Sequence, residues 1–361
     1  MNTPTLHVFF ALGNIASIPD TTIQALNKLP NIHAKGLSQG NHQYWTFGKH
    51  WTIITLSSFR KNPFLRLWQE VQLKTQLLNH ILWADICVWY WDIDVFSYWL
   101  IKLLKKPVYV EWLGSDIRIP ELVRAENKYY ANCWDEGEFQ YYFESRGNSN
   151  RKQQKFAKLN AIPLLSPEMS LFLNKEIYPS YTSLFQRIDS TKYAPIYPSK
   201  HAKKPILVHT PSATGAKGTK YVRACIQRLQ EKEIPFEYIE IHNKSREESY
   251  AAIQKADIFI DQFIAGSYGI ASCEAMAMGK PVLCYLMPSV VKNLPTDCAI
   301  INTSLDTLFD TLYTFISNAE LRHEAGKKSR QYVEQYHDAD KIAIKLNKLF
   351  SERLNKHEKT N

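Results

Sequence analysis

Long apolar runs are missing from this 361-residue chain. No stretch of about 18 or more uninterrupted apolar residues occurs, so no transmembrane helix is expected. The opening Met1-Asn2-Thr3-Pro4 lacks the basic start and small-residue cleavage site of a secretory signal. A cytoplasmic location is therefore expected. Paired cysteines are missing too. Cys87, Cys133, Cys225, Cys273, Cys284 and Cys298 form no C-x-x-C pair, and most sit inside apolar segments. Buried free thiols are expected, not a disulfide framework or a zinc site. The eleven histidines show no H-E-x-x-H or comparable spacing, which speaks against a zinc hydrolase. Acidic residues are in deficit, 35 against 44 Lys and Arg, for a formal net charge of +9. That surplus fits nucleic acid, an anionic membrane surface or a phosphorylated substrate, and charge alone does not choose among them. A merely solubilising surface is the plain alternative.

Apolar material is plentiful, at 45% of the residues, and the length suits two domains of roughly 170 residues each. Leu6–Leu12 is an apolar run that breaks at Gly13-Asn14, as a buried strand would. A helix is expected over Thr21–Leu29, a second strand over Trp51–Leu56 and a helix over Phe64–Leu78. Ala84–Trp91 reads as a strand, Val95–Leu104 as a helix and Val108–Leu113 as a strand ending at Gly114. Strands that are apolar throughout and alternate with helices indicate parallel pairing with both sheet faces covered. Residues 118–160 are polar and rich in Tyr and Trp, and read as an inserted helical pair.

The alternation restarts after a Pro- and Lys-rich linker at Tyr193–Pro205. Strands are expected at Ile206–His209, Phe236–Ile241, Ile258–Ile260 and Pro281–Leu286. Helices are expected at Gly218–Lys232, Glu247–Lys255, Ile270–Met278, Leu305–Ser317 and Ala319–Tyr336. The tail from about Glu352 is polar and expected to fray. The predicted fold class is α/β, with two doubly wound Rossmann-like domains. The first covers 1–190 with the insertion near 118–160, the second covers 191–335, and 336–361 forms a C-terminal helix.

Four segments carry candidate chemistry. In 257–286 a strand delivers the chain to the loop Gly266-Ser267-Tyr268-Gly269, and a helix opens at Ile270. Backbone N–H groups at that helix start suit an anion such as a diphosphate. Glu274 lies one turn inside, placed to accept from a pair of sugar hydroxyls, and Gly279 ends the helix. A plain helix with a glycine stop reads equally from these residues. In 205–220 a strand leads through Ser212 to Gly215-Ala216-Lys217-Gly218, and a Lys opening a helix suits phosphate. Loops with Gly and Lys are common, so this segment alone is weak. Gly13-Asn14 follows the first strand and also fits an ordinary strand-to-helix turn. Glu111–Arg118 places Ser115, Asp116 and Arg118 at the carboxyl edge of the first sheet, where ligands bind in open α/β sheets. Asp116 as a helix N-cap is the alternative there.

The segment Glu274-Ala-Met-Ala-Met-Gly-Lys-Pro-Val resembles the signature of the retaining GT-B glycosyltransferases of group 1. The resemblance implies two Rossmann-like domains facing a cleft and a nucleotide-sugar donor. It implies a glycan or lipid-linked acceptor, as in cell-surface polysaccharide synthesis, and retention at the anomeric carbon. In that family one Glu contacts the donor sugar, and a second, eight positions later, contacts the ribose. Glu274 matches the second. The first position is Gly266 here, and Asp261 is the one nearby substitute. Lys217 matches the family's diphosphate Lys, while its Arg falls near Ser212. Gly13, Asn14, Ser212, Gly218, Tyr268, Gly269 and Ile270 are assigned to the donor by the same resemblance. Ser115, Asp116 and Arg118 are assigned to the acceptor or cleft. Asp116 and Lys217 are assigned to catalysis. Similar chains carry His where Leu113 stands. Tyr332–Asp338 resembles the start of the family's C-terminal crossing helix.

No cofactor and no metal are expected. Asp92-Ile93-Asp94 has the spacing of the GT-A metal site, but follows a strand of a doubly wound domain. Three rivals remain: a non-catalytic sugar-nucleotide-binding relative, a sugar-nucleotide epimerase of the same fold, and a nucleic-acid binder. The last rests on charge alone and no nucleic acid is expected as a partner. His242 and Asn243 are expected near the base. Val95–Lys106, with its aromatics and three lysines, reads as a core helix with a basic cap or as a helix lying on an anionic bilayer. An inner-membrane face is thus a second location consistent with the sequence.

Overall fold

A computed structural model describes residues 5–40, 47–58, 60–141, 143–242 and 244–358. The chain divides into two units. The first comprises Met1–Arg118, Ser145–Arg187 and Ala339–Asn361, and the second Ile119–Glu144 and Ile188–Asp338. Up to residue 187 the elements are β1 (Leu6–Leu12), α1 (Ile18–Leu26), β2 (Ile32–Gln39), β3 (Trp51–Ile54), α2 (Pro63–Trp83), β4 (Ile86–Tyr90), α3 (Val95–Leu104), β5 (Val108–Trp112), α4 (Pro120–Glu126), α5 (Lys128–Asp135), α6 (Arg146–Ala157), β6 (Ile162–Leu165) and β7 (Thr182–Ser183). Then come β8 (Ile206–His209), α7 (Thr214–Lys217), α8 (Thr219–Glu231), β9 (Glu237–Glu240), α9 (Arg246–Lys255), β10 (Ile258–Ile260), α10 (Ile270–Ala277), β11 (Val282–Cys284), α11 (Pro288–Asn293), β12 (Ile301–Asn302), α12 (Leu308–Ser317), α13 (Ala319–Tyr336) and α14 (Ala339–Glu358).

The first unit holds a seven-stranded sheet in the order β3-β2-β1-β4-β5-β6-β7, parallel throughout. Its strands are apolar along their length because helices cover both faces. Val8 and Phe10 of β1 pack with Ile23 and Leu26 of α1 and with Ala343, Leu346 and Phe350 of α14. Phe9 points the other way, its ring 5.0 Å from that of His80 on α2. The strand order reverses between β1 and β4, which puts the switch point at the loops after those two strands.

The second unit holds five parallel strands in the order β12-β11-β10-β8-β9, with its switch point between β8 and β10. Its core is built from Leu207, Val222, Ile226, Leu229, Ile258, Ile260, Leu283 and Leu312. The two doubly wound sheets agree with the predicted fold class.

Several elements differ from the sequence reading. β2 was not expected and pairs with the whole length of β1. Its polar His33 and Lys35 are covered by Trp83, at 5.6 Å ring to ring and 4.3 Å from ammonium to ring. β6 and β7 extend the sheet through a stretch not read as sheet at all. The insertion holds three helices instead of a pair. Of these, α4 and α5 group with the second unit and α6 with the first. The tail expected to fray from about Glu352 stays helical to Glu358, because Ile342, Leu346 and Phe350 seat α14 in the first core.

Candidate functional site

In the second unit, the loops after β8 and β10 meet at the switch point. β8 ends at His209, which is fully buried, with Nδ1 2.8 Å from the Ile260 carbonyl and Nε2 3.0 Å from Thr219 Oγ1. A carbonyl only accepts, so Nδ1 carries a proton. Burial pulls its pKa down to about 4. The chain then turns into α7, whose Ala216 N–H donates to Gln140 Oε1 at 3.0 Å. Gly215 permits this approach, since a Cβ there would sit 2.1 Å from the Glu138 carbonyl oxygen.

Lys217, the last residue of α7, donates from Nζ to Asp261 Oδ1. Asp261 follows β10 and is buried, and its Oδ2 accepts from Ser272 Oγ of α10 at 2.5 Å. One carboxylate thus ties three elements together. An ammonium has three N–H bonds, so Lys217 keeps donors for a further acceptor. Its charge is matched by Asp261. Ser212 is exposed on the same loop, and Gly218 closes α7 in a left-handed conformation.

Gly269 precedes α10 without a side-chain cap, and Ile270 opens the helix. Glu274 projects from it, partly accessible, and Oε1 accepts from Arg246 Nη2 at 2.5 Å and from Tyr193 Oη at 2.8 Å. Burial works against the Arg246 charge, yet Glu274 and Tyr193 hold its pKa above the ordinary value. Burial, then the Glu274 charge, pushes the Tyr193 hydroxyl up, so it remains a donor. Oε2 of Glu274 has no protein hydrogen bond among the described residues. Arg246 and Tyr193 were not singled out in the sequence. They lie 28 and 81 residues from Glu274, and no local pattern marks such a pair.

Two of the expected donor residues are placed differently. Tyr268 is buried, its hydroxyl 3.1 Å from Tyr332 Oη and 3.1 Å from His337 Nε2. The ring therefore belongs to the core, and only its backbone is left to meet a ligand. Gly266 has φ +74°, and a Cβ on it would lie 2.2 Å from Met287 Cγ. The loop is built to carry no side chain at that position. His242, expected near the base, donates from Nδ1 to the Pro211 carbonyl at 2.8 Å, which joins the loops after β8 and β9. Asn243 lies outside the described residues.

The first unit has its own loops at the carboxyl edge. Asp116 is neither a free acid nor a helix cap. Its carboxylate accepts the N–H groups of Leu113 (3.0 Å), Gly114 (2.8 Å) and Ile117 (3.1 Å). Burial raises its pKa against the pull of those bonds. The carboxylate is engaged by three amides of its own loop. Ser115 and Arg118 flank it, both partly accessible. Asn14 after β1 is buried, and its Oδ1 accepts the Asp20 N–H at 3.0 Å, fixing the entry to α1 beside Gly13. Asp92 pairs with Lys155 at 3.0 Å, and Asp94 caps α3 through the Ser97 N–H at 3.0 Å.

Residues 215–332 match the family model described as glycosyl transferases group 1. No curated protein matches the chain. Similar solved structures include sucrose-phosphate synthase from Thermosynechococcus elongatus, 11% identical with a TM-score of 0.62 over 97% of this chain and 99% of that one. Alr3699/HepE of Anabaena in complex with UDP and glucose is 12% identical, with a TM-score of 0.63 over 96% and 100%. WaaG, a glycosyltransferase involved in lipopolysaccharide biosynthesis, is 14% identical, with a TM-score of 0.56 over 94% and 98%. At such identities the likeness is one of fold. Lys217 and Glu274 thus lie inside the segment that is similar to glycosyl transferases group 1, and the chain shares the GT-B fold of these solved structures.

Proposed function

We propose that the chain transfers a sugar from a nucleotide-sugar donor, held by the second unit, to a glycan or lipid-linked acceptor with retention. The observation that carries this is the joint position of Lys217 and Glu274 around the β8–β10 switch point. Glu274 Oε2 accepts from the ribose hydroxyls while Arg246 and Tyr193 hold the carboxylate still. The diphosphate lies against Lys217 and the first amides of α10. As the glycosidic C–O bond breaks, negative charge grows on the leaving phosphate oxygen, and these donors stabilise it. The acceptor hydroxyl attacks from the same face and its proton passes to the departing phosphate. No protein nucleophile is needed and no metal takes part. The relatives captured with UDP or UDP-glucose favour a uridine donor. The reaction belongs to the cytoplasm or the inner face of its membrane.

A thermal-shift screen of UDP-, GDP-, ADP- and TDP-sugars identifies the donor. Glu274→Ala and Lys217→Ala should each weaken it by about tenfold or more, as loss of a charged hydrogen bond does. Full affinity in both variants would remove the assignment.

A second reading is a sugar-nucleotide-binding relative with little or no transfer. It is favoured by the side chain excluded at Gly266, by Leu113 in place of a His, and by Asp261 matching the Lys217 charge. It predicts donor binding in calorimetry without transfer or hydrolysis.

A further inference from the structure

In the first unit, α2 and α3 pack side by side and bury one face each, through Leu73, Leu77 and Ile81 and through Ser97 and Ile101. Their outer faces are unusual. On α2, Phe64 (84% exposed), Leu67, Trp68 and Val71 fall at the spacing of a single helical stripe. On α3, Val95, Trp99 and Leu103 (80% exposed) do the same, with Phe96 beside them. α2 joins β3 to β4 and α3 joins β4 to β5, and these strands are all parallel. Both helices therefore run back against the strands and begin at the carboxyl edge of the sheet. The α2 stripe occupies the start of its helix and the α3 stripe starts at its first residue, so both begin at that edge.

The charge beside the α3 stripe is mainly positive, while on α2 Glu70 is paired with Arg66. From Val95 to Lys106 and from Arg146 to Lys158 the chain has no Asp or Glu, but carries Lys102, Lys105, Lys106, Arg146, Arg151, Lys152, Lys155 and Lys158. Between α3 and α6 lies a cavity of about 400 Å³, walled by Val95, Tyr98 and Trp99 on one side and by Arg151, Lys155 and Lys158 on the other. Lys155 is paired with Asp92, while Arg151 and Lys158 are exposed. An aromatic wall facing cations suits a phosphate head group whose acyl chains continue along the apolar stripe. Among the described residues no helix is long and apolar enough to cross a membrane.

We infer that the first unit docks on an anionic lipid bilayer through the outer stripes of α2 and α3, with the α3–α6 cavity taking a phospholipid head group. A second copy of the chain is the other occupant that an apolar face admits. In a symmetric pair it would set this basic surface against itself, and like charges oppose that. Docking needs no donor. Its consequence, a lipid-linked acceptor entering beside the 113–118 loop, rests on the transferase reading.

Flotation of the full chain with vesicles tests this. Phosphatidylcholine alone is compared with phosphatidylcholine carrying about 30 mol% phosphatidylglycerol. The chain should float with the anionic vesicles, and less so at high salt. Trp68→Ser with Trp99→Ser should weaken flotation by about tenfold or more. Arg151→Glu with Lys158→Glu should remove the preference for anionic lipid. Unchanged melting and an unchanged thermal shift with UDP-sugars show that both variants fold and that the donor site is intact. A wild-type chain that stays in the supernatant overturns the proposal, and so do variants that float like wild type. A dimer seen by light scattering, abolished by the Trp pair in a chain that does not float, would assign the face to a second copy. Failure to bind any sugar nucleotide would sink the transferase reading and leave flotation untouched.

Discussion

The two units each carry an acidic residue at the carboxyl edge of their sheet, and the two are used in opposite ways. In the first unit, Asp116 turns both oxygens onto amides of its own loop. That loop is stiffened from within. In the second, Asp261 gives one oxygen to Lys217 and the other to Ser272, from two other elements. The second edge is therefore a joint, and a change at one member reaches the rest. Departures from the family pattern follow the same division. Leu113 is a partly buried side chain against the first core. Gly266 is a backbone conformation with Met287 pressed against it.

Putting the family residues back separates the two cases. Gly266→Glu should destabilise the chain by roughly 4 kcal/mol, from a left-handed backbone plus overpacking, read as a fall in melting temperature. A melting curve matching wild type would show that the loop is plastic and that the glycine is not structurally required. Acid should weaken the second unit next. His209 has a folded pKa of about 4 against an ordinary 6.5. Between those values the unfolded chain binds a proton that the folded one does not, so stability is complete above about pH 6.5 and falls as pH drops toward 4. The loss amounts to about 3 kcal/mol at most. Urea melts of His209→Gln should flatten that slope, and an unchanged slope would place the acid response elsewhere. Leu113→His should cost the least, about 1 kcal/mol, because the side chain is already partly exposed and the loop backbone is held by Asp116. A loss as large as that of Gly266→Glu would make the two loops equally intolerant and erase the contrast.

The alternation of apolar runs made most strands and helices legible, while Lys217 and Glu274 were picked out by resemblance to the group 1 signature and not by local spacing. What stayed hidden depended on distant partners. β2 escaped because His33 and Lys35 look solvent-facing until Trp83, some 50 residues on, covers them. The support of Glu274 by Tyr193 and Arg246 joins three separate elements. Tyr268 looked like a loop ligand, but a hydrogen-bond pocket formed by Tyr332 and His337 draws its ring inward. Asp116 looked like free chemistry because its three acceptor bonds are to backbone, which a side-chain pattern does not display.

The first core is finished by α14. Phe350 meets Tyr109 edge to face at 5.0 Å, and Tyr109 Oη donates to the Leu349 carbonyl at 3.1 Å. These residues follow the whole of the second unit in the chain. During synthesis, the sheet that begins at Leu6 must wait with one face only partly covered, by α1, while all of the second unit is made. A fragment cut after Arg187 would leave the part of that face under α14 bare, so the first unit is poorly suited to expression by itself.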